Sequence, residues 1–468
     1  MRTSRHTLST AAGCPALVLL ALSAAAVAAA VAAWAPMFGL SSGEFARRRE
    51  RVRAAAGDAV VLLRGPTENE DSDRSRFRTD SDLLYLTGVE APGAWLALLP
   101  PGSPAGAREI LFLPGEPAGA PRPYPLPGRE AERETGIERV LPAAEMWRAL
   151  EPAIRAAAVI SVEPSGDDLA PGPPGALEAR LRAIRPAIAV EPTAASFIHP
   201  LRRVKSPGEV ANLRAAVRAT VAGQMAAARA LRAGRSELEV EGAILAAFRG
   251  AGAVREGFPC VVASGPDAVS IHHLAGARPV RAGELAVVDI GAEVNYYTAD
   301  LTRTWPVGGR FSRRQRELYE LVLDTQRACA ESVVPGRTTL RDLQRRATAH
   351  LRASPLRAAD GARRMSTMDR FFTHGIGHWL GMDVHDVGSI EAPIEPGVVL
   401  TIEPGVYIPS ERTGIRIEDD YLVTERGIEK LSNALPSGVV EVEAAMRGMG
   451  AAPAARGERR PRLLGKDE

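Results

Sequence analysis

Of the eight histidines in this 468-residue chain, three fall within twelve residues. They are His374, His378 and His385, in the stretch FFTHGIGHWLGMDVHD that spans 371–386. Imidazole near neutral pH is a common metal ligand and proton carrier. The glycines at 375, 377 and 381 let a backbone run close to whatever the histidines serve. A polar, glycine-rich surface loop would give the same pattern, so the acids elsewhere decide between the two. VVDIG (287–291) places Asp289 alone in an apolar run, and TADLTRT (298–304) carries Asp300. TIEPG (401–405) carries Glu403 at the end of another apolar run, and GIRIEDD (414–420) carries Arg416, Glu418 and Asp420. Taken in pairs these residues have plainer readings, as capping or solvated aspartates and as a buried Glu–Arg pair. Taken together, four carboxylates (Asp289, Asp300, Glu403, Glu418) and one imidazole make a hard, oxygen-rich set. Such a set suits two divalent ions of the manganese type, with zinc, cobalt or iron possible. No thiolates accompany it, which argues against a structural zinc site. Two ions about 3.5–4 Å apart can share a bridging hydroxide and polarise a carbonyl.

The elements that must hold these side chains can be read around them. An apolar strand covers 285–291 and a second covers 296–305. A reversal near Val294 and Asn295 sets Asp289 and Asp300 opposite each other across a hairpin. A strand over 398–403 ends in Glu403, where a bare carboxylate is costly. Another over 414–422 places Arg416, Glu418 and Asp420 on one face by its period of two. Upstream, Ser206, Pro207 and Glu209 form a helix start with N-cap, first-turn proline and capping-box acid. Helices follow over 207–233 and 237–250. Before a boundary near Leu201 the chain reads as an α/β domain. It has a charged helix at 44–56, strands at 59–63, 83–88, 94–99 and 109–113, and helices at 143–158 and 174–184. Loops cover 68–78 and 114–128, and no catalytic constellation lies in this half. The tail, 450–468, is rich in Arg, Gly and Pro and reads as disordered.

Composition narrows the class. At 46% hydrophobic and 24% charged residues the chain is an ordinary globular protein, long enough for two domains. A net charge of +2 gives no reason to invoke nucleic acid. Its three cysteines, Cys14, Cys260 and Cys329, form no disulfide framework. The N-terminus has Arg2 and Arg5 and then no charge from Thr7 to Gly43. That stretch reads as a signal peptide or membrane anchor over 1–41, giving an exported or anchored protein. A cytoplasmic enzyme beginning at Met37 is the alternative.

In order and type, VVDIG, TADLTRT, HWLGMDVH, TIEPG and GIRIEDD resemble the ligand motifs of the pita-bread metallopeptidases, which include methionine aminopeptidase, prolidase and aminopeptidase P. The resemblance covers about 42–446. It implies an α/β (α+β) protein with an N-terminal creatinase/aminopeptidase P-like domain (42–200), a pita-bread catalytic domain (201–446) and a tail (447–468). It also implies the ligand set Asp289, Asp300, His378, Glu403 and Glu418, with Asp300 bridging two ions. His272, ahead of His273 in SIHHLAG, and His385 resemble the histidines that contact substrate and intermediate. His374 resembles a residue lining the pocket for the prolyl side, and Arg416 one that holds a ligand carboxylate.

FRTDSDLLYLTG (77–88) and HGIGHWLGMDVHDVG (374–388) are most similar to the aminopeptidase P branch. The implied activity is metal-dependent release of the first residue from Xaa-Pro-Yaa peptides, with Glu403 shuttling a proton and a homo-oligomer as the assembly. Departures from that branch are the segment 123–128, PYPLPG, in place of a tryptophan-glycine pattern, and the apolar leader. Prolidase, which takes only dipeptides, shares the site. Creatinase-like enzymes share the fold without metals, and a non-catalytic interaction domain would be expected to lack ligands.

Overall fold

The computed structural model describes residues 37–67, 77–115, 127–163 and 175–448. The leader up to residue 36, the tail from 449, and most of the loops expected at 68–78 and 114–128 lie outside the described residues. Among the described residues no helix is long and apolar enough to cross a membrane.

The first half is built on a six-stranded mixed sheet. Its strands are β1 (Val60–Arg64), β2 (Trp95–Leu98), β3 (Glu109–Leu113), β4 (Arg139–Pro142), β5 (Val159–Val162) and β6 (Ala189–Glu191), in the order β4-β3-β2-β1-β5-β6. The apolar runs expected as strands at 59–63, 94–99 and 109–113 are β1, β2 and β3. The expected strand at 83–88 is instead a helix, Ser81–Thr87. Asp80 caps it by accepting the Leu83 N–H at 2.9 Å, and Gly88 closes it in the left-handed region at φ 66°. All seven of its residues are buried, so no polar face betrayed a 3.6-residue period. A short apolar run is ambiguous for that reason. The helix Ala194–Arg203 spans the boundary expected near Leu201, and the next helix begins at Pro207.

The second half opens with the helices Pro207–Ala230 and Glu237–Gly250, each with a complete capping box at Ser206 and Ser236. Then come β7 (Arg255–Glu256), β8 (Val261–Ser264), β9 (Leu285–Ile290), β10 (Ala292–Val294), β11 (Tyr297–Thr298) and β12 (Leu301–Pro306). Next are the helices Arg313–Glu331 and Leu340–Ala353 and the hairpin β13 (Arg357–Ala359) and β14 (Met365–Thr367). β15 (Val399–Ile402), β16 (Gly405–Ile408), β17 (Thr413–Arg416), β18 (Asp419–Thr424) and β19 (Gly427–Lys430) complete the strands, and the helix Val439–Gly448 follows. The sheets β12-β9-β8 and β15-β18-β19 are antiparallel, and the site lies between them.

Two expected strands are broken where a candidate ligand sits. The run 296–305 divides into β11 and β12, and Asp300 lies in the gap. The run 414–422 divides into β17 and β18, and Glu418 lies in that gap. The chain there leaves its pairing with β16 and joins β15. The hairpin reverses at Asn295 and Tyr296, both left-handed at φ 52° and 66°. The register that results pairs Asp289 with Thr302 and Ile290 with Leu301. Asp300 is therefore a diagonal neighbour of Asp289 and not its direct partner. The reversal falls one residue later than expected, which shifts the pairing by two.

Candidate metal centre

The five candidate ligands converge on one buried pocket. His378 Nε2 lies 3.4 Å from Asp300 Oδ2, 3.6 Å from Glu403 Oε1 and 3.9 Å from Glu418 Oε1. One ligand atom from each of Asp300, His378 and Glu418 falls within a 4.8 Å group. Asp289 and Glu403 stand beside that group.

The local structure fixes each side chain. The loop before β15 runs along that strand: the Thr401 N–H donates to His378 O at 2.9 Å and the Glu403 N–H to Ile376 O at 2.8 Å. This brings His378 and Glu403 side by side. Gly377 permits the approach, because a Cβ there would stand 2.1 Å from Thr401 O. Gly381 is crowded in the same way by Asp386, whereas Gly375, expected to do likewise, meets nothing closer than 3.9 Å. His378 Nδ1 is 3.0 Å from Trp379 O. A proton on Nδ1 donated to that carbonyl leaves Nε2 as a free lone pair facing the acids, the tautomer a metal ligand needs.

The acids are held from behind. Arg416 Nη2 donates to Asp289 Oδ2 at 2.5 Å, and Arg416 Nε to Thr302 Oγ1 at 3.1 Å. Thr302 Oγ1 donates in turn to Glu418 Oε2 at 2.6 Å. Asp289 Oδ1, Asp300 Oδ1 and Glu418 Oε1 are left buried without a hydrogen-bond partner. Burial, reinforced by neighbouring carboxylates, holds the carboxyls of Asp300 and Glu418 far above the usual range. Burial also lifts Glu403 to about 7, against the pull of His378 and Arg416. Orphaned oxygens from several strands, mutually repelling and facing one imidazole, suit hard divalent cations.

The remaining histidines surround this set. The ring of His385 lies 4.4 Å from that of His378, and burial with the neighbouring His378 lowers its pKa. His374 is lowered to about 4 by burial and by Arg416, and stays neutral. Its Nε2 accepts from Tyr407 OH at 2.9 Å, and Tyr407 OH accepts from Arg416 Nη1 at 2.7 Å. His374 Nδ1 is 3.5 Å from Glu403 Oε2. His272 acts electrostatically on both His374 and His385, which places it on the same pocket. Its neighbour His273 turns away, with Nε2 2.8 Å from Glu237 Oε2.

Sequence reasoning missed Tyr407, which joins His374 to Arg416, and Thr302. Tyr407 lies four residues after Glu403 on the next strand, so its spacing pointed at the site. Glu237 was missed as well, and it forms a second acidic grouping with Asp267 and His273. Its oxygens already accept from Ser264 N–H and Oγ, from His273 and from Gly276 N–H, so it organises a loop instead of facing a cation.

Comparison with known proteins identifies the family. Residues 211–425 match the profile of metallopeptidase family M24, and residues 45–160 that of the aminopeptidase P N-terminal domain. The Xaa-Pro aminopeptidase of Haemophilus influenzae is 32% identical over 437 residues, 86% of this chain and 97% of that protein. That of Escherichia coli is 31% identical over 436 residues, 87% and 98%. Among solved structures, a putative aminopeptidase P from Bacillus anthracis superposes with a TM-score of 0.79 at 26% identity, over 88% of this chain and all of that one. Zinc-substituted Escherichia coli aminopeptidase P in complex with product gives 0.76 at 28%, over 88% of this chain and 100% of that one.

Proposed function

The chain belongs to metallopeptidase family M24, in its aminopeptidase P branch, and from that premise we propose that it releases the first residue of Xaa-Pro-Yaa peptides. The observation that carries the proposal is the convergence of Asp289, Asp300, His378, Glu403 and Glu418 on one pocket, beside an aromatic wall. The wall consists of Phe372, 5.0 Å from the His374 ring, and Tyr407, 5.5 Å from it. A neutral His374 between two aromatic rings suits the ring of proline. A prolyl peptide bond is a tertiary amide with no N–H to satisfy, so the recess need not supply an acceptor for it.

Family members bind divalent metals, and the five residues above would hold them; manganese is the proposed metal. When bound, such ions polarise the peptide carbonyl and lower the pKa of a water. The chain's own groups complete the chemistry. Glu403 takes and returns a proton at the oxygens that face His378 and His374. His385 and His272 donate hydrogen bonds to the carbonyl oxygen as charge grows on it. Arg416 and Thr302 keep Asp289 and Glu418 oriented throughout. The uncharged stretch from Thr7 to Gly43 supports export or membrane anchoring, which fractionation with intact-mass analysis would test.

Mass spectrometry of the products from Arg-Pro-Pro, Arg-Ala-Pro and Arg-Pro with manganese-loaded protein tests the activity. Arg-Pro-Pro should release arginine fastest, with Arg-Ala-Pro much slower and N-acetylated peptides inert. Cleavage of the dipeptide alone would make the enzyme a prolidase. Equal rates on the proline and alanine tripeptides would remove proline specificity.

A further inference from the structure

Two buried glutamines lie outside the pocket and touch none of its side chains, except that Gln326 reaches Asp419, the neighbour of Glu418. Gln224, on the helix Pro207–Ala230, is fully buried; its Nε2 donates to Val288 O at 2.9 Å and to Leu301 O at 2.7 Å. Its Oε1 accepts from Trp305 Nε1 at 3.0 Å, a group that can only donate, and this fixes which end of the amide faces the strands. Gln326, on the helix Arg313–Glu331, is 1% exposed; its Nε2 donates to Ile402 O at 2.9 Å and to Ile417 O at 3.3 Å, with Asp419 Oδ2 at 3.1 Å.

The four carbonyls have one property in common. Val288 directly precedes Asp289, and Leu301 directly follows Asp300. Ile402 directly precedes Glu403, and Ile417 directly precedes Glu418. Each amide thus ties together the backbones of two candidate ligands from two different strands. Three of these carbonyls lie at a ladder's end or interruption: Leu301 begins β12, Ile402 ends β15, and Ile417 lies between β17 and β18. A strand carbonyl buried where its ladder stops needs a donor from elsewhere. An amide nitrogen offers two N–H groups in a fixed fork, enough for both carbonyls at Gln224; at Gln326 the second N–H is shared between Ile417 O and Asp419 Oδ2.

We propose that Gln224 and Gln326 are positioning residues, each setting the spacing of one pair of metal-binding carboxylates. Gln224 sets Asp289 against Asp300, and Gln326 sets Glu403 against Glu418. The inference rests on the reading that these carboxylates hold divalent cations. Carboxylates that repel one another would otherwise spread their strands, and each clamp opposes that spread before any cation arrives.

The experiment is manganese titration of the metal-free full-length protein, read as stoichiometry and dissociation constant by calorimetry. Wild type is compared with Gln224→Met and Gln326→Met, which keep the side-chain length and remove both donors. Gln224→Asn and Gln326→Asn keep the amide but are too short to bridge both carbonyls. Thr325→Val, a buried change on the same helix as Gln326 whose hydroxyl donates to Leu321 O within that helix, controls for core disturbance. All are read in protein that is folded by circular dichroism. The expected result is a dissociation constant raised by about 10–100-fold, the range for groups that orient metal ligands, in the Met and Asn variants of each glutamine and not in Thr325→Val. Wild-type-like affinity in folded Met and Asn variants overturns the inference while leaving the metal site standing. A wild-type protein that binds no manganese, zinc or cobalt overturns the metal reading itself.

Discussion

At the scale of single residues, the site has opposing titrations, and their windows separate. Asp300, Glu403 and Glu418 all have raised pKa values, so the folded metal-free protein holds protons that the unfolded chain would release. Its stability therefore falls as pH rises from the ordinary values of 3.8 for aspartate and 4.5 for glutamate through about 7 for Glu403, and further for the other two. His374 and His385 are lowered and act in the opposite sense, but only below the ordinary histidine value of 6.5. Between about pH 6.5 and 8.5 the histidines drop out, and the site's acids act together with Asp420 and Glu163, whose carboxyls burial also raises. The thermal midpoint in chelator should fall across that window, and fall less with saturating manganese; equal slopes with and without manganese would refute the repulsion. A second residue-scale prediction separates ligand from donor. His378→Ala should lose metal, since its Nε2 is the imidazole nitrogen facing the acids. His272→Ala should keep metal and lose turnover by roughly 10²–10⁴-fold. Elemental analysis beside steady-state rates checks both, and metal loss in His272→Ala would reverse the assignment of the two.

At the scale of elements, the chemistry was more legible than the geometry that delivers it. Asp289 and Glu403 stood out because a carboxylate in an apolar run needs a reason, Glu418 because it shares a strand face with Arg416, and the His stretch because of its density. The breaks in the strands at Asp300 and Glu418 left no trace in composition, since neither is flanked by the glycine or proline that marks a turn. The helix Ser81–Thr87 was hidden by burial on every side. Glu237 was illegible for another reason: its partners lie 27, 36 and 39 residues away. Only the folded chain brings Ser264, His273 and Gly276 to its two oxygens, and those contacts pin the loop that presents His272. Replacing Glu237 by alanine removes four acceptor contacts from a fully buried position and frees that loop. Turnover should fall about tenfold or more, but by less than in His272→Ala, with metal content unchanged. Rates and metal content of the folded variant would show it; unchanged turnover would mean that the loop keeps its place without Glu237.

At the scale of the whole molecule, the first half grips the segment between His378 and Asp386. Arg202, on the helix Ala194–Arg203, donates to Asp82 Oδ1 at 2.7 Å, to Asp383 Oδ2 at 2.8 Å and to Asp386 Oδ1 at 2.6 Å. Lys205 Nζ meets the other oxygen of Asp386 at 2.8 Å, and Arg78 donates to Met382 O at 2.8 Å. Leu380 and Met382 pack into one apolar cluster with Leu83 and Leu84 of the helix Ser81–Thr87. The carboxyls of Asp82 and Asp386 are held below their ordinary values by these cations despite burial, so both are charged in the folded protein. Replacing Arg202 by methionine would leave two buried carboxylates each short of one partner, Asp82 with His199 and Asp386 with Lys205. Breaking a buried pair from one side costs about 3–5 kcal/mol, more than the pair itself contributes, because the remaining charge stays buried. Arg202→Met should therefore lower the urea unfolding free energy by about that amount. Asp82→Asn added to it should restore part of the loss, because the amide needs no counter-charge and its other partner, His199, is part-exposed. The double variant would then be more stable than the sum of the two single losses predicts. Strict additivity, or a loss under about 1 kcal/mol in the single Arg202 variant, would place these ions with the weak surface pairs. The segment that carries His385 would then be held by apolar packing instead of by charge.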